Sequence, residues 1–235
     1  MTNPFSVLWR SAVNVYDELF PMVGMNLLWL LLSIPLVLVV WALFTLLHVP
    51  SDLAILLALV LALLGPSPAS LGIHNFANQL VKEERVEFEL FWTGLRTYWR
   101  RGLVLLAISV VVVALLGVNI IFYLISSSGV LRFFSILWLY AMALWFMMML
   151  YLNPLLIEQD NKSIKLILRN ALVLALDNIV TSLVLLVILV LISVVSIGIA
   201  LLVALLAASY VATVETRAVL TYLEKYRARA ANRSP

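Results

Sequence analysis

His74 is the side chain in this sequence that could relay a proton near neutral pH, and few groups are available to work with it. Glu158, Asp177 and Glu215 are the carboxylates that could join it in acid–base chemistry, provided the fold brings them within hydrogen-bond reach. There is no cysteine, which removes disulfides, thiolate nucleophiles, iron–sulfur ligation and Cys-based zinc sites together. The second histidine, His48, forms no HxxxH pair with the first. No Ser/His/Asp set, no phosphate-cradling glycine loop and no paired intramembrane carboxylates occur. The expectation is a chain that is not an enzyme and that holds neither a metal nor a cofactor.

Two features could carry binding instead. The segment Gly65, Pro66, Ser67, Pro68, Ala69, Ser70 interrupts an apolar run, and neither Pro66 nor Pro68 has an N–H to give to a helix. Carbonyls just before it therefore lose their helical partners. They are either bared to a substrate, as in the broken helices of transporters, or patched by Ser67, Ser70 and a neighbouring helix. The second feature is a polar layer of Asn26, His74, Asn75, Asn78, Asn153, Glu158, Asp177, Glu215 and Arg217, which together with Pro66 and Pro68 are the candidate ligand-binding residues. These residues fall within a turn or two of one membrane surface, where a structural polar collar is the simpler reading. Glu215 and Arg217 stand two apart on one helix and face different ways, so each needs a partner from elsewhere in the fold. Asn119 lies deeper and reads as interhelical glue.

The elements that position these groups follow from hydropathy and charge. With 65% apolar and 11% charged residues the chain lies outside soluble globular usage, and its 235 residues read as a single membrane domain, 1–235. Its opening residues have no basic n-region running into an apolar core, so no removable signal peptide is expected. Charge-free runs cover 19–51, 53–81, 102–131, 133–157 and 178–214, each long enough to cross the hydrocarbon core. The last would be roughly 55 Å long as one helix and should fold back, with Ser193, Ser196 and Gly198 marking the turn. This gives an all-α bundle with six spans near 21–47, 53–82, 102–126, 131–157, 178–196 and 199–223. Of the fifteen Lys and Arg residues, all but Arg132 then fall on one side, which by the positive-inside bias is the cytoplasm. Both termini lie there, and the outer links are too short to hold a site.

Segments before the first, third and fifth spans carry apolar residues at i, i+3, i+4, i+7 and i+11, the stripe of a helix lying in the interface. They read Phe5, Leu8, Trp9, Ala12, Tyr16; Phe88, Phe91, Trp92, Leu95, Trp99; and Ile164, Ile167, Leu168, Ala171, Ala175. The expected architecture is thus three hairpins (21–82, 102–157, 178–223), each preceded by a cytoplasmic-face amphipathic helix (1–20, 86–101, 163–177), the third of them apolar nearly all round and so either interfacial or buried, with a basic tail at 224–235 that frays. Asn3 and Pro4 supply a cap and first turn for the first helix. Phe88, Phe91, Trp92, Leu95, Arg96, Trp99, Arg100 and Arg101 form the candidate surface for a partner or for lipid.

Taken together, Asn26 to Trp29 with Ser33, Ile34 and Pro35, then Gly65 and Pro66, then Ala69 to Gly72, then the run from Phe91 to Arg100, and finally Asn119 to Tyr123 resemble the YesL-like family of bacterial integral membrane proteins. The resemblance covers roughly 20–125. It implies a multi-pass bacterial plasma-membrane protein of uncharacterised biochemistry, encoded in many cases beside carbohydrate-uptake transporters, and supplies no catalytic or binding residues. The chain departs from the family pattern in the mostly apolar stretch of about thirty residues between Pro35 and Gly65.

The expected function is accordingly that of a non-enzymatic membrane protein acting as an accessory or assembly partner of a membrane system, carbohydrate uptake among the candidates. The alternative is a small solute or lipid transporter with its site between the Gly65–Ser70 break and the polar layer. Expected partners are the bilayer with its anionic headgroups and a membrane or cytosolic protein. Nucleic acid is not expected, because the basic residues are spread along membrane edges with no recognition module.

Overall fold

The computed structural model of the chain describes residues 3–82, 86–198 and 203–232, and among these every regular element is helical. The order is α1 (Pro4–Asp17), α2 (Leu19–Leu46), α3 (Ser51–Leu64), α4 (Pro68–Val81), α5 (Glu89–Leu124), α6 (Gly129–Phe133), α7 (Ser135–Glu158), α8 (Ile164–Asp177), α9 (Ile179–Gly198), a π-helical turn (Val203–Ala207) and α10 (Ala208–Ala231). Among the described residues, four stretches are long and apolar enough to cross a membrane: α2, α3 with α4, α5, and α6 with α7. A fifth is reached if α8 and α9 are counted as one span, but these two helices meet at 100°. The count is therefore four or five, where the charge-free runs predict six.

Several boundaries follow local chemistry. Asn3 caps α1, its side chain accepting from the Phe5 N–H at 3.0 Å with Pro4 in the first turn. The same device restarts the chain after the proline break. Gly65 is extended, ending α3, and Ser67 then caps α4 by accepting from the Ser70 N–H at 3.0 Å, with Pro68 in the first turn. The link between α2 and α3 closes on His48, which adopts φ 59°.

The second predicted surface helix is not separate. The helix of the segment 86–101 does not end before the span; from Glu89 it is the start of the 36-residue α5, because nothing between Glu89 and Leu124 stops a helix. Its polar residues Arg96, Arg100 and Arg101 are good helix formers and leave by the exposed side. Phe91, expected on the outer surface, is fully buried against Gly72, since α4 and α5 approach closely. In contrast α1 and α8 are distinct helices. Phe5, Trp9 and Tyr16 of α1 are exposed, and Ile167, Ala171 and Ala175 of α8 are buried. The turn expected at 193–198 is helical instead. The helix runs on to Gly198, and Ser193 bonds within it to the Leu189 carbonyl. The ensuing 199–202, with Arg85 and Arg233, lie outside the described residues. The tail expected to fray remains helical to Ala231.

The core is assembled around α4. It packs against α5, α10, α7 and α2, while α1 closes on α10. The Pro66 break thus faces protein on most sides.

Candidate functional site

His74 and Glu215 meet in this core. The imidazole Nε2 lies 2.8 Å from Glu215 Oε2, joining α4 to α10, and both side chains are 1% exposed or less. The other ring nitrogen, Nδ1, is 2.7 Å from the Ser70 carbonyl oxygen. A carbonyl can only accept, so Nδ1 carries a proton in every state of the pair. What remains is one proton held between Nε2 and Oε2. Glu215 Oε1 has no hydrogen-bond partner among the described residues. The sequence offers His74 and Glu215 separately, and the fold makes them a pair.

The break next to this pair is patched. Ser70 Oγ donates to the Ala62 carbonyl at 3.1 Å, while accepting from Ser67 Oγ at 2.9 Å and from the indole N–H of Trp29 at 3.3 Å. Asn153 Nδ2 donates to the Gly65 carbonyl at 3.3 Å. Carbonyls left unpaired at the break are therefore taken up by Ser70 and by α7, the outcome the polar composition of the break allows.

The rest of the polar layer is spent on other helix junctions. Asn26 Oδ1 accepts from the N–H groups of Ala208 (2.7 Å) and Ser209 (3.1 Å), where the π turn passes into α10 and backbone donors fall out of register. Asn75 donates to the Leu90 carbonyl at 2.8 Å. Asn78 and Lys82 both donate to Glu158 Oε2, at 3.3 and 2.8 Å, and Arg227 approaches the other oxygen at 3.5 Å. Arg217 donates to Asn14 Oδ1 on α1 at 2.8 Å, and Tyr226 donates to Asp177 at 2.9 Å. Burial first, and the Asp177 carboxylate second, hold the Tyr226 phenol above its usual range. Glu215 and Arg217 thus take partners on two different helices, as their two-residue spacing requires. Asn119 does not act as interhelical glue: it is half-buried and bonds within its own helix to the Leu115 carbonyl.

Residue type and spacing do not single out Asn14 or the buried pair of Tyr151 Oη with Ser182 Oγ at 2.5 Å, whereas they do point to Ser70 as a group that patches the break. Ser67 followed by Pro68 did carry a usable signal, since the same Xaa-Pro cap is readable at Asn3 and Pro4.

Asn26→Leu removes the acceptor shared by two backbone donors. It should lower stability by about 2 kcal/mol, while Asn26→Asp retains most of it. Thermal unfolding of the two variants in the same detergent checks this, and equal melting temperatures would contradict the capping role.

An apolar groove of about 680 Å³ opens between α2 and α5 on the other side of the break. Pro35 and Leu36 of α2, Ser67–Ala69 at the start of α4, and Arg96, Trp99 and Leu103 of α5 line it. Pro68 faces this groove, whereas Pro66 is buried. Trp92 and Trp99 are 39% and 43% exposed, and Arg96, Arg100 and Arg101 are exposed with them. Among the described residues no group of three or more His, Cys, Asp or Glu could hold a metal ion. The chain matches no protein-family model, no curated protein and no solved structure.

Proposed function

We propose that this chain is a multi-pass plasma-membrane protein without enzymatic activity, acting as an accessory or assembly partner of another membrane system. The observation that supports this reading is how the polar groups are divided. Asn26, His74, Asn78, Asn153 and Glu215 are used to tie helices together, and the chemistry facing outward includes the aromatic and cationic flank of α5. Trp, Tyr and Arg on such a flank suit a partner surface or a headgroup layer. The finer topology we propose is six spans with both termini cytoplasmic, supported by the one-sided distribution of Lys and Arg. The YesL-like resemblance supports a bacterial membrane and carbohydrate uptake as the system served.

A photoreactive residue in place of Trp92, activated in native membranes, should capture a discrete membrane or cytosolic protein. Capture of lipid alone would overturn the accessory role. A tag at the C-terminus that proved reachable from outside intact cells would overturn the topology.

The sequence places a transport site between the break and the polar layer, a region filled by hydrogen-bonded side chains; the groove on the other side of the break favours this second reading, a small solute or lipid transporter, at that different place. Movement of a solute or lipid by the purified protein alone in liposomes would establish it over the first.

A further inference from the structure

The groove between α2 and α5 combines an apolar trough with a cation at its rim, and we propose that it seats one anionic glycerophospholipid of the surrounding bilayer. Its phosphate would rest on Arg96, and an acyl chain would run along Leu36, Val39 and Leu103. This seat does not depend on the accessory role, since it concerns a bound lipid and not a docked protein.

Two irregularities of the backbone create the trough. Pro35 sits inside α2, and the chain between α3 and α4 steps aside at Gly65–Ser67, so the two long helices are not filled in between. The walls are aliphatic and aromatic, and the volume lies within the ~300–1,000 Å³ usual for a small-molecule site. Ser67, the hydroxyl of this wall, is already engaged with Ser70, so the trough offers a ligand little hydrogen bonding. That suits a hydrocarbon chain better than a polar solute.

The charge is what makes the occupant anionic. Arg96 forms no ion pair among the described residues, and it lies on the groove wall. Arg100, one helical turn further along α5, stacks at 5.3 Å over the ring of Trp99, which lines the same wall. Arg96 therefore brings one guanidinium to the groove wall, Arg100 holds a second against the wall's Trp99, and a guanidinium matches a phosphate by forked hydrogen bonding. A zwitterionic lipid carries its own ammonium beside the phosphate and gains less from this pair. A free anion would leave the trough unfilled.

The test uses the purified full-length protein in detergent, titrated with phosphatidylglycerol or phosphatidylcholine, with bound lipid counted by native mass spectrometry. One phosphatidylglycerol should be retained at least fivefold more tightly than phosphatidylcholine. Arg96→Gln should reduce that preference about fivefold, the ~1 kcal/mol that one cation contributes beside an anionic headgroup. Val39→Trp leaves the charges in place and fills the trough, so it should abolish retention of the tightly held lipid. Val39 faces outward on α2, and the circular dichroism of both variants should match that of the parent. Equal retention of the two lipids by the parent protein would overturn the proposal. So would unchanged phosphatidylglycerol retention in Arg96→Gln and Val39→Trp. If one variant fails to fold, the other alone decides, because the substitutions lie on different helices.

Discussion

Glu215→Leu should destabilise the protein by about 3–5 kcal/mol, and the double variant His74→Leu/Glu215→Leu should recover more than half of that loss. The two side chains are sealed from water and 2.8 Å apart. Removing the carboxylate leaves Nε2 with nothing to pair with, while Nδ1 stays fixed on the Ser70 carbonyl. That stranded ring nitrogen, more than the lost attraction, accounts for the size of the effect. Replacing both groups by leucine removes the stranded atom as well. Polar pairs within membranes average only about 0.6 kcal/mol by double-mutant cycles, because the unfolded chain in lipid also finds partners. The His74–Glu215 pair should exceed that average, being enclosed by protein and spanning two helices far apart in sequence. Denaturant unfolding of the parent, both single variants and the double variant in one detergent gives the coupling directly. Additive effects would mean that the two groups do not act as a pair.

Gly94→Leu should cost about 3–4 kcal/mol, whereas Gly117→Leu on the same helix should stay within about 0.5 kcal/mol of the parent. A Cβ at Gly94 would fall 2.5 Å from the Cβ of Asn75 and 2.8 Å from the Leu71 carbonyl oxygen. Both obstacles belong to the α4 backbone or its first side-chain atom, so no rotamer change relieves them and the helices must move apart. Separation also stretches the Asn75 to Leu90 hydrogen bond, adding about 1 kcal/mol to the overpacking itself. At Gly117 nothing lies within 4 Å, and leucine simply meets lipid. Comparison of melting temperatures for the two variants isolates packing from helix propensity, which changes equally in both.

What could be read from residue order was the distribution of apolar length and the punctuation. The run 19–51 announces α2, and the two prolines at 66 and 68 announce a broken helix whose carbonyls need new partners. Ser70 and Asn153 are those partners, and both were visible as polar groups at that level. The continuity of α5 was hidden because Arg96, Arg100 and Arg101 read as a membrane edge. A membrane edge need not be a helix end when no cap, glycine turn or proline accompanies it. Close packing at Gly94 was hidden for another reason: a glycine's value there depends on which helix lies opposite. The His74–Glu215 pair is the clearest limit. Its members stand 141 positions apart, and no spacing rule relates residues on helices that meet only through the fold.

The same separations bear on how the protein is made. Asn26 reaches its donors 182 and 183 positions later, and Asn14 meets Arg217 across 203. During synthesis the early helices enter the bilayer long before α10 leaves the ribosome, so their polar side chains wait without their final partners. The last helix acts as a keystone. A nascent chain halted before Ala208 would lack every group that Asn26, His74 and Asn14 use on that helix, and quality-control proteases should recognise it as unfinished.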